Sequence, residues 1–173
     1  MAALSAVPAR AQTDEQRASA RAAATDGLRA LNEGRYRDAL DFCTRAESLM
    51  HAPTHLLLIA RAQTKLGLLV EAQESYIKIT REQLAAGASP AFVNAQKAAK
   101  EEDRALTPRV PTLKIDLDGP SADQATIAVN GAPLSAAAIG LARPVDPGSY
   151  ALTATAPGLQ AAPVTLTIEE GAT

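Results

Sequence analysis

Two histidines, His51 and His55, stand four residues apart, the separation at which two imidazoles on one helical face share a metal ion. Pro53 lies between them at a helix start, so they do not share a helical face and read as surface residues beside a loop. Cys43 is the only cysteine, which leaves no internal disulfide and no cysteine-rich zinc site. It falls on an apolar stripe with no histidine close by in sequence, so it reads as a small core residue rather than a nucleophile. Asp116 and Asp118 alternate on one strand face with Asp123 beyond, but no loop with calcium-ligand spacing follows, and they read as a solvated face. Lys97, Lys100, Glu101, Glu102, Asp103 and Arg104 mix both signs at helical spacing and read as an exposed, ion-paired helix. No Gly-x-Ser-x-Gly elbow, phosphate-cradling loop or dinucleotide fingerprint is present. The residues therefore point away from an enzyme and from any cofactor or metal.

Elements must carry whatever function remains. The 173 residues include 39 alanines, two Phe, three Tyr and no Trp, too little bulk for one large core and too few aromatics to stack nucleic-acid bases. A net charge of −2 offers no basic field for a phosphate backbone. No run approaches the roughly 18 apolar residues of a membrane-spanning helix. Before Val110 there are 15 Lys and Arg against 13 Asp and Glu; after it, 2 against 6, and seven of the eleven prolines lie there. That shift predicts two domains. Residues 1–12 hold Ala9-Arg10-Ala11, a small-residue pattern of the kind that precedes cleavage of an export signal, with a short apolar run before it. They are read as a residual signal-like or disordered segment.

Residues 13–106 read as helical. Thr13 and Gln16 have capping-box spacing, which predicts a first helix starting at Thr13 and stopping at Gly34. A second carries Tyr36, Ala39, Leu40, Cys43, Ala46 and Met50; a third spans about Thr54 to Leu66, a fourth about Leu68 to Ala86, and a fifth opens at Ser89-Pro90 and carries Phe92, Ala95, Ala99 and Leu106. Gly34, Ala39 and Ala46 recur 33 residues later as Gly67, Ala72 and Ile79, with Cys43 recurring as Tyr76. Paired helices at that period mark a helical solenoid. Gly27, Gly34, Ala39, Ala46 and Pro53 make this half resemble the tetratricopeptide repeats, two repeats followed by a capping helix; the second copy departs in having Ala60 for Gly27 and Ile79 for a small residue.

Residues 107–112 are rich in proline and read as a linker. From residue 113 the period becomes two: Leu113, Ile115 and Leu117 alternate with Lys114, Asp116 and Asp118. Ile127 and Val129 precede Asn130-Gly131, a strong hairpin signal, and further strands are expected near Arg143 to Val145, at Tyr150, Leu152 and Ala154, and from Val164 to Ile168. The fold class predicted is thus a two-domain α + β chain, helical repeats followed by a small antiparallel β-sandwich over residues 113–171. Val129-Asn130-Gly131, Pro147-Gly148 followed by Tyr150 and Leu152, and Pro157-Gly158-Leu159 resemble the PEGA family of extracytoplasmic β-sandwich modules, although the naming tetrapeptide is missing and Leu159 replaces an aromatic. The resemblance implies a periplasmic or surface location in a bacterium. It also implies a further strand after Gly171, without which one sheet edge is open to strand addition.

Function then rests on surfaces. The resemblance to stacked repeats turns Arg21, Thr25, Arg29, Asn32, Arg61, Thr64 and Lys65 toward a partner-binding face, and their excess of cations suits an acidic peptide or a terminal carboxylate. The expectation is an extracytoplasmic, non-enzymatic interaction or scaffold protein that takes a protein or peptide partner and no nucleic acid, with the β-module as spacer or envelope-docking part. A carbohydrate- or cell-wall-binding module and a regulatory subunit of an enzyme assembly are the alternatives.

Overall fold

The computed structural model describes residues 9–119, 121 and 124–173. The chain divides into two compact units, Met1–Ala105 and Leu106–Thr173. Among the described residues five helices come first: α1 (Ala9–Asn32), α2 (Tyr36–Leu49), α3 (Pro53–Lys65), α4 (Leu69–Arg81) and α5 (Pro90–Leu106). Seven described strands follow in two antiparallel sheets.

Small residues set the helix packing. Ala20, Ala23, Gly27 and Ala30 form the buried face of α1, and Ala39, Cys43 and Ala46 that of α2. At Gly27 the two helices meet so closely that an added Cβ would stand 2.3 Å from the Cys43 Sγ. The chain is already helical at Ala9, ahead of Thr13, because Ala-rich sequence on both sides of the polar run propagates the helix through it. Residues 9–12, within the segment read as signal-like, are thus helical.

The 33-residue period holds at the backbone. Gly34 and Gly67 both have φ +76°, the left-handed conformation that ends a helix at least cost in glycine. The next residues, Arg35 and Leu68, have φ/ψ of −84/66° and −83/65°, and their N–H groups donate to Ala30 O and Gln63 O at 2.9 and 3.0 Å. Each joint starts a helix whose equivalent positions, Ala39 and Ala72, Cys43 and Tyr76, Ala46 and Ile79, are all buried. This is a helical repeat, two helix pairs and a fifth helix.

One helix is shorter than its sequence suggests. Residues 82–86 favour helix, yet α4 ends at Arg81 and Glu82 is extended at φ −65°, ψ 131°. Tertiary bonds hold it there: the Gln96 side chain donates to Ile79 O at 3.1 Å and to Glu82 O at 2.6 Å.

In the second unit, β1 (Thr112–Leu113) pairs with β4 (Arg143–Pro144). β2 (Thr126–Val129), β3 (Ala132–Leu134), β5 (Gly148–Ala156), β6 (Leu159–Gln160) and β7 (Val164–Ile168) form a five-stranded sheet, with β2 on one side of β5 and β6 and β7 on the other. Asn130 (φ 51°) and Gly131 (φ 78°) make the tight β2–β3 turn, as their types require. The register sets Ile127 opposite Leu134 and Ala154, so Ile127, Val129, Leu152 and Ala154 share one face. Ile127, Val145 and Ile168 are buried. The edge strand β3 contains Pro133, opposite Ala128.

The strand expected through Leu117 stops at Leu113. Burial still alternates to Asp118, but the backbone partner there is irregular, and Ile115 O accepts the Gly140 N–H at 2.8 Å. Residues 107–112, expected as a linker, hold a 3-10 turn (Thr107–Arg109) and the start of β1. They are tied to the end of the chain: Gly171 N–H donates to Arg109 O at 2.8 Å, Thr112 N–H to Ala172 O at 2.9 Å, and Arg109 makes two hydrogen bonds to Glu170. Among the described residues β7 pairs with β5 alone.

Candidate functional site

The seven residues expected on a partner face do not act alike. Arg61 on α3 makes a bidentate bond to Glu102 on α5, at 2.6 Å from Nη2 and about 3 Å from Nε, and the Tyr76 hydroxyl on α4 donates to the same carboxylate at 2.9 Å. Thr64 donates its hydroxyl to Ala60 O of its own helix. Burial, first of all, pushes the Tyr76 phenol up. Arg61 is thus drawn into a network joining three helices, and Glu102 faces inward instead of standing on an exposed ion-paired surface. Arg29 pairs with Asp26 at 3.0 Å and Thr25 donates to Arg21 O. Arg29, Asn32 and Lys65 are exposed.

Arg21 belongs to something more enclosed. A groove of about 420 Å³ opens between α1, the α2–α3 connection and the start of α5. Arg17 and Arg21, one helical turn apart on α1, supply one wall; His51, His55 and Phe92 supply much of the rest. No carboxylate lines it among the described residues. Arg17 also bonds Asp14 at 2.8 Å. The α3 N-terminus adds its dipole to the same wall, since Thr54 and His55 open that helix.

One of the two histidines departs from the expected surface setting. His51 is exposed in the connection, but His55 is buried at 8% exposure. Its Nδ1 lies 3.0 Å from Met50 O, an acceptor, so Nδ1 carries the proton. His51 contacts Glu47 and Glu82, and Glu47 also accepts the Ala52 N–H at 3.1 Å. Pro53 starts α3, as read from the sequence, so the two rings sit on different backbone segments. No group of three metal-ligating side chains forms among the described residues.

Cys43 is fully buried, and burial raises its thiol to about 11, which disfavours the thiolate a nucleophile needs. Asp116 pairs with Lys114 at 2.9 Å; Asp118 borders a shallow apolar cavity of about 260 Å³ with Leu117, Ala154 and Leu159. Asp123 lies outside the described residues. No helix among the described residues is long and apolar enough to cross a membrane.

No family model matches the chain, and neither a curated protein nor a solved structure matches it.

The groove gathers residues 17–21, 50–55 and 89–92, which lie far apart in the chain. The sequence reading named Arg21 but missed Arg17, His55 and Phe92 as its neighbours; the helical spacing of Arg17 and Arg21 and the helix starts at Pro53 and Pro90 are local traces that do not by themselves assemble a groove.

Proposed function

We propose that this chain is an exported, non-enzymatic protein-interaction or scaffold protein whose helical unit holds an acidic, partly apolar segment of a partner in the groove at Arg17 and Arg21. The observation that carries this reading is the groove's composition. Two arginines and two histidines line it with Phe92; Asp14 engages Arg17, and Glu47 and Glu82 engage His51, while Arg21 makes no ion pair among the described residues and no carboxylate is among the described lining residues. A segment alternating carboxylates with apolar side chains matches both features through charge-assisted hydrogen bonds and burial. The repeated 33-residue joint supports a tetratricopeptide-like assignment for the helical unit, and the Asn130-Gly131 hairpin with the turns at Pro147-Gly148 and Pro157-Gly158 supports a PEGA-like one for the β unit. On that assignment the β unit is a spacer or envelope-docking part, and Ala9-Arg10-Ala11 supports passage out of the cytoplasm.

Fluorescence anisotropy tests the groove, using a labelled peptide that alternates glutamate with leucine and phenylalanine and a control with lysine for glutamate. The acidic peptide binds, the control does not, and added salt weakens the complex. Combined Arg17→Glu and Arg21→Glu substitution lowers affinity about tenfold or more. Lys65→Glu, outside the groove, leaves it in place. Equal binding of both peptides, or an unaffected double variant, would overturn the reading.

A further inference from the structure

Both ring nitrogens of His51 face carboxylates. Nδ1 lies 2.5 Å from Glu47 Oε1 on α2, and Nε2 lies 3.1 Å from Glu82 Oε1 at the end of α4. An ionised carboxylate only accepts hydrogen bonds, so satisfying both requires two N–H donors, which imidazole has only when charged. We infer that His51 is a pH-operated clip: as imidazolium it fastens the end of α2 to the end of α4, and on losing its proton it frees the α4–α5 joint to loosen.

The joint is built to feel that change. Glu82 is the residue at which α4 stops, and its backbone carbonyl is also the acceptor of the Gln96 side chain from α5. One residue therefore receives the clip through its side chain and the fifth helix through its backbone. With His51 neutral, one of its nitrogens presents a lone pair to a carboxylate, and that arm repels instead of bonding.

Charged or titratable groups face the ring from α1, α2, α3 and α4. Glu47 comes from α2. From α3 comes His55, whose Nδ1 lies 3.9 Å from Glu47 Oε2. Glu74, Lys78 and Arg81 of α4 border a second cavity with His51 and Glu82, and Arg17 and Arg21 of α1 border the groove that His51 also lines. The α5 side contributes uncharged Ser89 and Phe92. The cations disfavour protonation, but the two carboxylates lie at hydrogen-bond distance and dominate. The ring accordingly sits above its ordinary 6.5, chiefly through the Glu47 bond, with partial burial opposing and Glu82 adding. The sign follows: the clip is complete below about 6.5 and is lost as pH rises through the raised value. Where the groove reading of the previous subsection holds, deprotonation also removes one positive charge from the groove wall, so an acidic segment binds more tightly in mild acid.

The test uses the whole chain without any peptide, so its result stands apart from that of peptide binding. Side-chain NMR follows the His51 ring across about pH 5 to 9, and amide hydrogen exchange, corrected for intrinsic rates, follows residues 79–82 and the first turns of α5. The expected result is a midpoint above that of an unperturbed histidine, with protection at the joint falling about two- to fivefold across it. His51→Gln and Glu82→Gln remove the pH step. A midpoint at or below the ordinary value, or protection that ignores the titration, would overturn the clip.

Discussion

Gly27 and Cys43 decide how near the first two helices come. A methyl group at Gly27 would meet the Cys43 sulfur at 2.3 Å, well inside van der Waals contact. Gly27→Ala raises helix propensity by about 1 kcal/mol, yet the clash should make the variant less stable by about 1–3 kcal/mol. Cys43→Ala removes the obstructing atom. Urea unfolding of the single and double variants should therefore show strong coupling, with the double variant more stable than the sum of the singles by about 1 kcal/mol or more. Simple additivity would mean that the helices part without cost. The burial of Cys43 could be read from its apolar stripe alone. The partner of Arg61 could not, because Glu102 lies 41 residues away and the rhythm around it spoke of an exposed helix face.

At the scale of elements, the sequence located helices best where punctuation and periodicity agreed. Gly34, Pro53, Gly67 and Pro90 mark boundaries that the structure keeps within a residue or two. It failed at α4, where Gln96 and His51 act from outside the helix, and at β1, where alternating burial continues without a ladder. Local pattern records which side of a segment is buried; it does not record what accepts its backbone hydrogen bonds. The groove was illegible for a related reason, since its walls are fixed by packing of small residues rather than by any local motif. The β2–β3 turn, by contrast, is strictly local. Gly131→Ala forces a side chain into φ 78°, and Asn130→Ala does so at φ 51° while also removing the Asn130 Oδ1 bond to the Ala151 N–H at 2.8 Å. Each change should cost about 1–2 kcal/mol, seen as a lowered thermal midpoint of the β unit.

For the molecule as a whole, each unit has its own buried set, so a core substitution acts on the unit that holds it. Tyr76→Phe deletes a hydrogen bond to a carboxylate and should lower helical-unit stability by about 1–2 kcal/mol. Ile168→Ala empties space beneath β7 and should cost the β unit about 2–4 kcal/mol. Helix ellipticity reports the first change and amide exchange in β5 the second. A variant that moved both signals equally would contradict the division at residue 105.

Pro133 has one more outcome. It has no N–H to give, so the β3 margin of the five-stranded sheet is a poor template for a newcomer, while the β7 margin has no described strand beside it. Fibrillar growth needs two receptive margins on every subunit. A sheet with only one stops at an edge-to-edge pair of molecules, which makes this sheet resistant to propagating aggregation at high local density.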